Sequence, residues 1–308
     1  MGKALATRVL ARGLKVSVST RRMRTNTDVR FEYIHTTNLS PTTDWLPALQ
    51  GIDVVVHCAA RVHVMQDTEA DPLAAFRAVN VAGTLTLAHQ AVSAGVKRFV
   101  FISSIKVNGE STFTRQPFTA DDAPAPLDAY GLSKMEAEQG LREIALQTGM
   151  EVAIIRPPLV YGPGVKANFA AMMRWLQLGV PLPLGAIHNQ RSLVALDNLV
   201  DLIVTCLTHP AAANQTFLVS DGEDVSTTEL LRRMGKAMGH PARLVPVPVG
   251  FLKLAATMLG KGDMAQRLCG SLQVDIEKTR RLLDWTPPLS LDQGLKKAAE
   301  GYGHEAGI

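Results

Sequence analysis

The stretch RFVFISS, residues 98–104, decides the fold that this sequence predicts. It is a short apolar run that ends in two serines, which is typical of a strand buried on both faces of a sheet. Helical periodicity precedes and follows it, over Leu73–Ala94 and Tyr130–Gln147. Three further strand candidates are Lys15–Ser19 (KVSVS), Ile52–Ala60 (IDVVVHCAA) and Glu151–Pro157 (EVAIIRP). Strands alternating with helices indicate an α/β fold with a doubly wound parallel sheet.

The character of the chain changes after Pro157, where proline and glycine become frequent and strand patterns become short. Thr216–Gly222 (TFLVSDG) is a late strand candidate. We therefore predict a Rossmann-type domain over residues 1–160, onto which part of 190–222 packs back. A smaller mixed region follows over residues 161–308.

The composition is that of an ordinary globular protein, with 46% hydrophobic and 19% charged residues. The net charge is only +4, and the one cluster of basic residues lies in STRRMR, residues 19–24. This pattern predicts no nucleic-acid partner. The three cysteines are odd in number and far apart in apolar runs, so we expect reduced thiols in a cytoplasmic protein and no metal site.

The longest apolar stretch is LVPVPVGFLKLAATMLG, residues 244–260. Two prolines, two glycines and Lys253 interrupt it, so it is too short and too broken for a transmembrane segment. A helix that lies on a partner or on a membrane surface stays open as an alternative.

Polar residues follow the predicted strands where ligands bind in such sheets, beyond the carboxyl ends. Within AYGLSK, Tyr130 and Lys134 are spaced i and i+4 on one helical face. A nearby ammonium lowers the pKa of a phenol, which makes tyrosine a usable acid or base. Ser104 ends the preceding strand and can hydrogen-bond the same substrate oxygen. We predict these three residues as catalytic; the alternative is a surface Tyr and Lys on an ordinary helix.

Ser104, Tyr130 and Lys134, in this order, resemble the triad of the short-chain dehydrogenase/reductase superfamily. Four phrases are similar to motifs of its extended branch: HCAARVH (57–63), VNVAGTLTLAHQA (79–91), RPPLVYGPG (156–164) and RLLDWTPPLSLDQGL (281–295). That branch holds nucleotide-sugar epimerases, dehydratases and 4-ketoreductases. By this resemblance, which runs from Gly2 to about Tyr302, the chain is identified as a member of the NAD-dependent epimerase/dehydratase family. It implies that residues 1–160 bind a dinucleotide and that 161–308 mainly bind a nucleotide sugar.

The family's first strand leads into a Gly-x-x-Gly-x-x-Gly turn, and Gly2 fits the third glycine of that turn. The resemblance therefore implies an N-terminal truncation of roughly ten to fifteen residues, the first strand and most of the glycine loop. That strand would lie between the strands of Val16 and Ile52. A fold that begins with a helix is the alternative.

Carried over residue by residue, the resemblance implies contacts with a nicotinamide cofactor. The residues are Gly2, Thr20, Arg21, Arg22, Asn38, Leu39, Ala59, Ala60, His63, Asn80, Tyr130, Lys134 and Pro157. Asn38 stands where the family usually has Asp, and His63 is alternatively a packed loop histidine. Since Ser19–Arg22 offers guanidinium groups and no carboxylate, NADP(H) is preferred to NAD(H), the alternative.

Substrate contacts follow from the same resemblance. Asn168, Arg191 and Arg267 would hold the diphosphate of a UDP-sugar, beside Ser104 at the reacting oxygen. Arginine suits this role because its planar fork pairs with two phosphate oxygens. A surface salt bridge is the alternative for Arg191, and the spacing around Arg267 departs from the common pattern.

The phrase SSIKVNGE, residues 103–110, looks most like a subgroup of 4-ketoreductases. The sequence analysis therefore favours reduction of a UDP-4-keto-6-deoxy-N-acetylhexosamine for bacterial surface polysaccharide (O-antigen) synthesis. A UDP-glucose or UDP-N-acetylglucosamine 4-epimerase is the alternative, and a non-catalytic or inactive truncated cofactor-binding protein is a further one. A dehydratase of this family has an acidic pair directly after this serine. Because Ile105 and Lys106 follow Ser104 instead, the resemblance does not favour a dehydratase. By analogy, a homodimer would form through the helix of Tyr130 and Lys134.

Overall fold

The computed structural model describes residues 1–21, 30–36, 38–62, 71–112, 116–165, 167–260 and 262–306. The strands in these segments are β1 Ser17–Thr20, β2 Glu32–His35, β3 Val54–His57, β4 Arg98–Ile102, β5 Glu151–Arg156, β6 Leu159–Tyr161, β7 Arg191–Ala195, β8 Gln215–Leu218 and β9 Asp224–Val225. The helices are α1 Gly2–Ala11, α2 Leu46–Leu49, α3 Pro72–Phe76, α4 Thr84–Ser93, α5 Ala129–Thr148, α6 Ala167–Gln177, α7 Leu196–Thr208, α8 Thr227–Ala237, α9 Val249–Met258, α10 Gly262–Cys269, α11 Glu277–Leu283 and α12 Leu291–Ala306.

The central sheet contains β3, β4, β5 and β8 in this order, and every pair is parallel. The prediction of an α/β fold with a parallel sheet is therefore confirmed. Strand β1 pairs in parallel with β2 in a separate two-stranded sheet, and the sequence analysis missed β2. In a third sheet, β7 pairs in parallel with β6 and antiparallel with β9.

Helices cover both faces of the central sheet, as its near-continuous apolar strands require. All five positions of β4 are buried. Phe99 shares one apolar core with Leu141 of α5. Val100, on the opposite face, shares another core with Leu5 of α1 and Ile203 of α7. The carboxyl end of β4 is thus fixed between two helical layers.

The helix predicted over Leu73–Ala94 is not continuous: a π-helix, Arg77–Gly83, joins α3 to α4. The segment at Leu39 packs directly against this π-helix. A Cβ at Gly83 would lie 2.9 Å from Leu39 Cγ and 3.2 Å from the Ser40 nitrogen, so glycine permits the close approach. This contact places the Asn38–Leu39 segment beside the central sheet.

A further apolar core lies within the region from Tyr161 to Ala298. Beside it, the Tyr161 hydroxyl donates to Asp221 at 2.7 Å, and Asp221 accepts from the Ala195 nitrogen and from Asn198, each at 2.7 Å. Burial and the neighbouring carboxylate of Asp221 raise the pKa of Tyr161. These bonds join β6, β7 and α7, and so set Arg191 at the start of β7.

Candidate active site

Ser104 and Tyr130 come together at the carboxyl end of β4. Ser104 caps a short 3-10 helix, Ile105–Val107, with its Oγ accepting from the Lys106 nitrogen at 3.2 Å. Tyr130 lies in the first turn of α5, which Asp128 caps by accepting from the Gly131 nitrogen at 2.7 Å. The Ser104 side chain lies close enough to the phenol to act on its pKa, which it lowers. The structure thus brings these two predicted catalytic groups into contact.

Lys134 follows one turn later on α5 and is buried. Its Nζ lies 4.1 Å from the centroid of the Phe101 ring, a cation–π contact. Burial lowers the pKa of Lys134 to about 7, while Glu138 and Cys58 act to raise it. The ammonium therefore lies between α5 and the ends of β3 and β4.

The expectation that Lys134 lowers the pKa of Tyr130 was wrong. Burial, followed by the Asp128 carboxylate, raises the pKa of Tyr130 to about 12, and only the hydrogen bond with Ser104 lowers it. The i and i+4 spacing places both residues on one face, but the ammonium lies over Phe101. In the chain without ligands, the Tyr130 phenol therefore keeps its proton at neutral pH.

A buried polar network beneath the site was not found by the sequence analysis. Glu138, on α5, accepts from Ser103 Oγ at 2.5 Å and from Arg156 Nε at 2.9 Å and Nη2 at 2.6 Å. Arg156 also donates to Asn108 at 2.9 Å. The side chains of Glu138 and Arg156 are each only 2% exposed. The network ties the Tyr130 helix to β4 and β5, which carry the rest of the site.

The loop after Ser104 lies directly against the first turn of α5. A Cβ at Gly131 would be 2.8 Å from the Lys106 carbonyl oxygen, so only glycine allows this approach. The Lys106 ammonium also pairs with the Asp128 carboxylate. Both contacts fix Tyr130 relative to Ser104.

Asn80, predicted to touch the cofactor, is 1% exposed and its amide is used within the protein. Its Oδ1 accepts from the Arg61 nitrogen at 2.8 Å, and its Nδ2 donates to the Arg61 carbonyl and to Ser133 Oγ, each at 3.0 Å. Ser133 Oγ in turn donates to the Tyr130 carbonyl at 2.8 Å. Asn80 therefore positions the loop after β3 against α5.

The predicted cofactor residues at the end of β3 lie near the start of α1. The pKa of Cys58 is raised to about 11 by burial, whereas the amino group of Met1 and Lys134 act to lower it. Both positive charges thus act on the thiol that follows β3, and Gly2 comes directly after Met1 in the chain. Ala59 is exposed and Ala60 is half-buried there.

The remaining predicted cofactor residues are spread over three elements. Thr20 ends β1 and Arg21 is exposed beyond it. The Asn38 carbonyl accepts from Thr43 Oγ1 at 2.5 Å. Pro157 is buried, and its carbonyl accepts from the Ile105 nitrogen at 3.0 Å. Arg22 and His63 lie outside the described residues.

Two predicted substrate residues are brought together on the far side of the site. The Arg191 guanidinium donates to the backbone carbonyl of Arg267, and burial lowers the pKa of Arg191. Arg267 itself is exposed on α10. Arg191 forms no ion pair with any residue that the structure describes. Asn168 lies in the first turn of α6, and its side chain is outside what is described.

A parallel sheet covered by helices is the fold of the short-chain dehydrogenase/reductase class, and Ser104, Tyr130 and Lys134 lie near the carboxyl end of its central strand β4. Residues 1–220 match the NAD dependent epimerase/dehydratase family, and the chain belongs to that family. It is an enzyme family that acts on nucleotide sugars.

The chain is 55% identical over 266 residues to a UDP-glucose 4-epimerase of Vibrio cholerae, which covers 86% of this chain and 81% of the relative. A UDP-glucuronic acid 4-epimerase of Bacillus cereus with NAD superimposes with a TM-score of 0.77 at 21% identity, covering 98% and 93% of the two chains. A UDP-glucose 4-epimerase of Thermotoga maritima with UDP-glucose gives 0.77 at 20% identity, covering 100% and 96%. The two structures bear on the fold. The relatives favour the 4-epimerase alternative and do not support the 4-ketoreductase.

Proposed function

We propose that the chain is a nicotinamide-dependent UDP-hexose 4-epimerase, acting on UDP-glucose or its N-acetylated counterpart. The observation that carries this proposal is the 55% identity with the UDP-glucose 4-epimerase of Vibrio cholerae. The site geometry is compatible with it, because the Tyr130 phenol and the Ser104 hydroxyl, the two groups that would handle the sugar hydroxyl, both lie at the carboxyl end of β4. Reduction of a 4-keto sugar, which the sequence pattern at residues 103–110 favours, is the outcome that would contradict this proposal.

The residues fit a nicotinamide dinucleotide. Small side chains at Ala59 and Ala60 line the end of β3, and an added Cβ at Gly2 would meet nothing within 4 Å. The amides at a helix N-terminus suit a pyrophosphate. The dinucleotide would be held by Gly2, Ala59, Ala60, Tyr130 and Lys134. When bound, it would accept a hydride from sugar C4 and return it.

The chain's own residues handle the proton. During oxidation Tyr130 would act as a phenolate that takes the proton of the sugar hydroxyl, and the resulting phenol would return this proton during reduction. Because the pKa of Tyr130 is about 12 in the free chain, this role requires that the positive charge of the bound oxidised dinucleotide lower that pKa. Ser104, which lies beside the phenol, would orient the sugar oxygen. Glu138 and Arg156 hold α5 in place while this proton moves. The half-buried guanidinium of Arg191 would bind the diphosphate.

The preference for NADP(H) stays a prediction. It rests on Thr20 and Arg21 at the end of β1, where the exposed Arg21 side chain could pair with a 2′-phosphate. Titration of the chain with NADH and NADPH, followed by nicotinamide fluorescence, tests it. Tighter binding of NADH, with no loss in Arg21→Ala, would contradict it.

The decisive assay is conversion of UDP-galactose to UDP-glucose by the purified chain with NAD or NADP. We expect turnover, and we expect Tyr130→Phe to lower kcat by about 10²- to 10⁴-fold, because the acid–base group is lost. Tyr302→Phe is the matched control, since its hydroxyl donates to Gln177 at the end of α6, at 3.3 Å. Turnover of a UDP-4-keto sugar with NADPH, without epimerisation, would overturn the proposal in favour of the ketoreductase.

A further inference from the structure

Helix α9 has an outer face that nothing in the described structure covers. Phe251, Leu254, Met258 and Leu259 are 68%, 60%, 80% and 72% exposed, and we call these four residues the α9 face. The spacing of Phe251, Leu254 and Met258 puts these three on one side of the helix, and Leu259 follows at its C-terminal end. The opposite side packs on the core through Val249 and Leu252.

A continuous apolar patch of this kind differs from scattered exposed residues. Single exposed apolar side chains are normal, whereas contiguous patches mark contact with a partner or a lipid. The chain that leads into α9 adds the 46% exposed Val245, whose nitrogen bonds the Leu182 carbonyl at 2.8 Å. Val180, two residues before Leu182, is 41% exposed.

The charged residues around α9, within residues 230–262, indicate the kind of partner that the α9 face contacts. Residues 230–262 contain no Asp or Glu. Lys236, Arg243 and Lys253 are exposed, and none of them forms an ion pair with a residue that the structure describes. Apolar residues on one face together with unpaired lysines and arginines are typical of a helix that lies in a membrane interface. Anionic headgroups are the complementary surface.

We propose that α9 docks the chain on the surface of an anionic lipid bilayer. The α9 face enters the boundary between headgroups and acyl chains, and Lys253 stays among the headgroups. None of the described helices is long and apolar enough to cross a membrane, so the contact is with one surface.

Docking would bring the substrate end of the candidate site toward the bilayer. Helix α9 packs against α10, and α10 carries the Arg267 carbonyl that accepts from Arg191. The docking itself requires neither cofactor nor substrate. A test of membrane binding is therefore independent of whether the proposed enzymatic function is correct.

Vesicle flotation of the full chain tests the proposal. We expect the chain to float with phosphatidylcholine vesicles that contain phosphatidylglycerol, and less so at high salt. The double variant L254S/M258S should partition about tenfold or more weakly, because it removes two apolar contacts with the lipid. K253E should weaken binding to the anionic vesicles.

The matched control is L46S/L146S, which removes two leucines that are 45% and 88% exposed on other helices. It should float like the parent chain. All variants change exposed side chains, and circular dichroism with thermal unfolding checks that they fold. Absence of flotation by the parent chain, or equal loss in the control, would overturn the proposal. A parent dimer that L254S/M258S dissociates, without flotation, would assign the face to a second copy instead.

Discussion

The end of the candidate site that carries Tyr130 and Lys134 rests on buried, hydrogen-bonded side chains. The end that carries Arg191 and Arg267 rests on an exposed helix and one backbone carbonyl. Beneath the first end, Glu138 and Arg156 are each 2% exposed. The first end is therefore part of the folded core, whereas the second is an accessible surface.

The difference follows from what each end has to do. Proton transfer needs groups held in fixed positions away from water, since reorganisation at the moment of reaction raises the barrier. Binding a charged diphosphate needs cations that a ligand can reach. Substitutions at the first end should thus change stability. Substitutions at the second end should leave stability nearly unchanged, and those that remove a group in contact with the ligand should weaken binding.

The largest effect on stability is expected from Glu138→Ala. This change leaves the Arg156 guanidinium buried without its carboxylate, and breaking a buried ion pair in this way costs about 3–5 kcal/mol. Urea unfolding of the purified chain measures the loss. Activity per folded molecule should also fall, because α5 is no longer tied to β4 and β5.

Glu136→Ala is the control for this substitution, on the same helix and with the same change in side chain. Glu136 pairs with Arg77 at the surface, where the two side chains are 23% and 50% exposed. Exposed pairs contribute about 0–1 kcal/mol. Equal losses in Glu136→Ala and Glu138→Ala would show that the buried network does not support the catalytic end.

Lys134→Met should change how stability depends on pH. The pKa of Lys134 falls from 10.5 to about 7 on folding, so the unfolded chain binds more protons between these values. The burial penalty is complete below pH 7 and disappears as the pH rises to 10.5. At pH 7 the variant should be more stable than the parent chain by on the order of a few kcal/mol. Near pH 10.5 the two chains should be equally stable.

Urea unfolding at several pH values compares the two chains. Lys97→Met is the control, because Lys97 is an exposed surface residue and its hydrogen bond with Asp53 raises its pKa. The stabilisation from the Lys97–Asp53 pair is lost only above the ordinary lysine pKa. The difference in stability between Lys97→Met and the parent chain should therefore stay constant from pH 7 to pH 10.5. A flat difference for Lys134→Met as well would mean that the ammonium is solvated.

The sequence predicted the parts of this molecule that depend on local patterns. The apolar run at Phe99 defined β4, and the i and i+4 spacing put Tyr130 and Lys134 on one face. Strand β2 was missed because Glu32 and His35 leave little apolar signal in four residues. The Glu138–Arg156 pair was missed because charged residues in a helix and before a proline indicate surface positions unless the partner is known. The direction of the Lys134 side chain could not be predicted either, because it depends on packing against Phe101, which is distant in sequence.

The smallest effect is expected from Arg267→Ala, at the accessible end of the site. The side chain is exposed, so the free energy of unfolding should change by less than about 0.5 kcal/mol. Arg191 keeps its acceptor, because the bond is to the Arg267 backbone carbonyl. We expect KM for UDP-galactose to change little and kcat to stay constant. Arg191→Ala, by contrast, should raise KM roughly ten- to hundredfold through loss of a charged hydrogen bond. If both variants raised KM equally, the Arg267 guanidinium would itself bind the diphosphate, and this end would depend on two side chains.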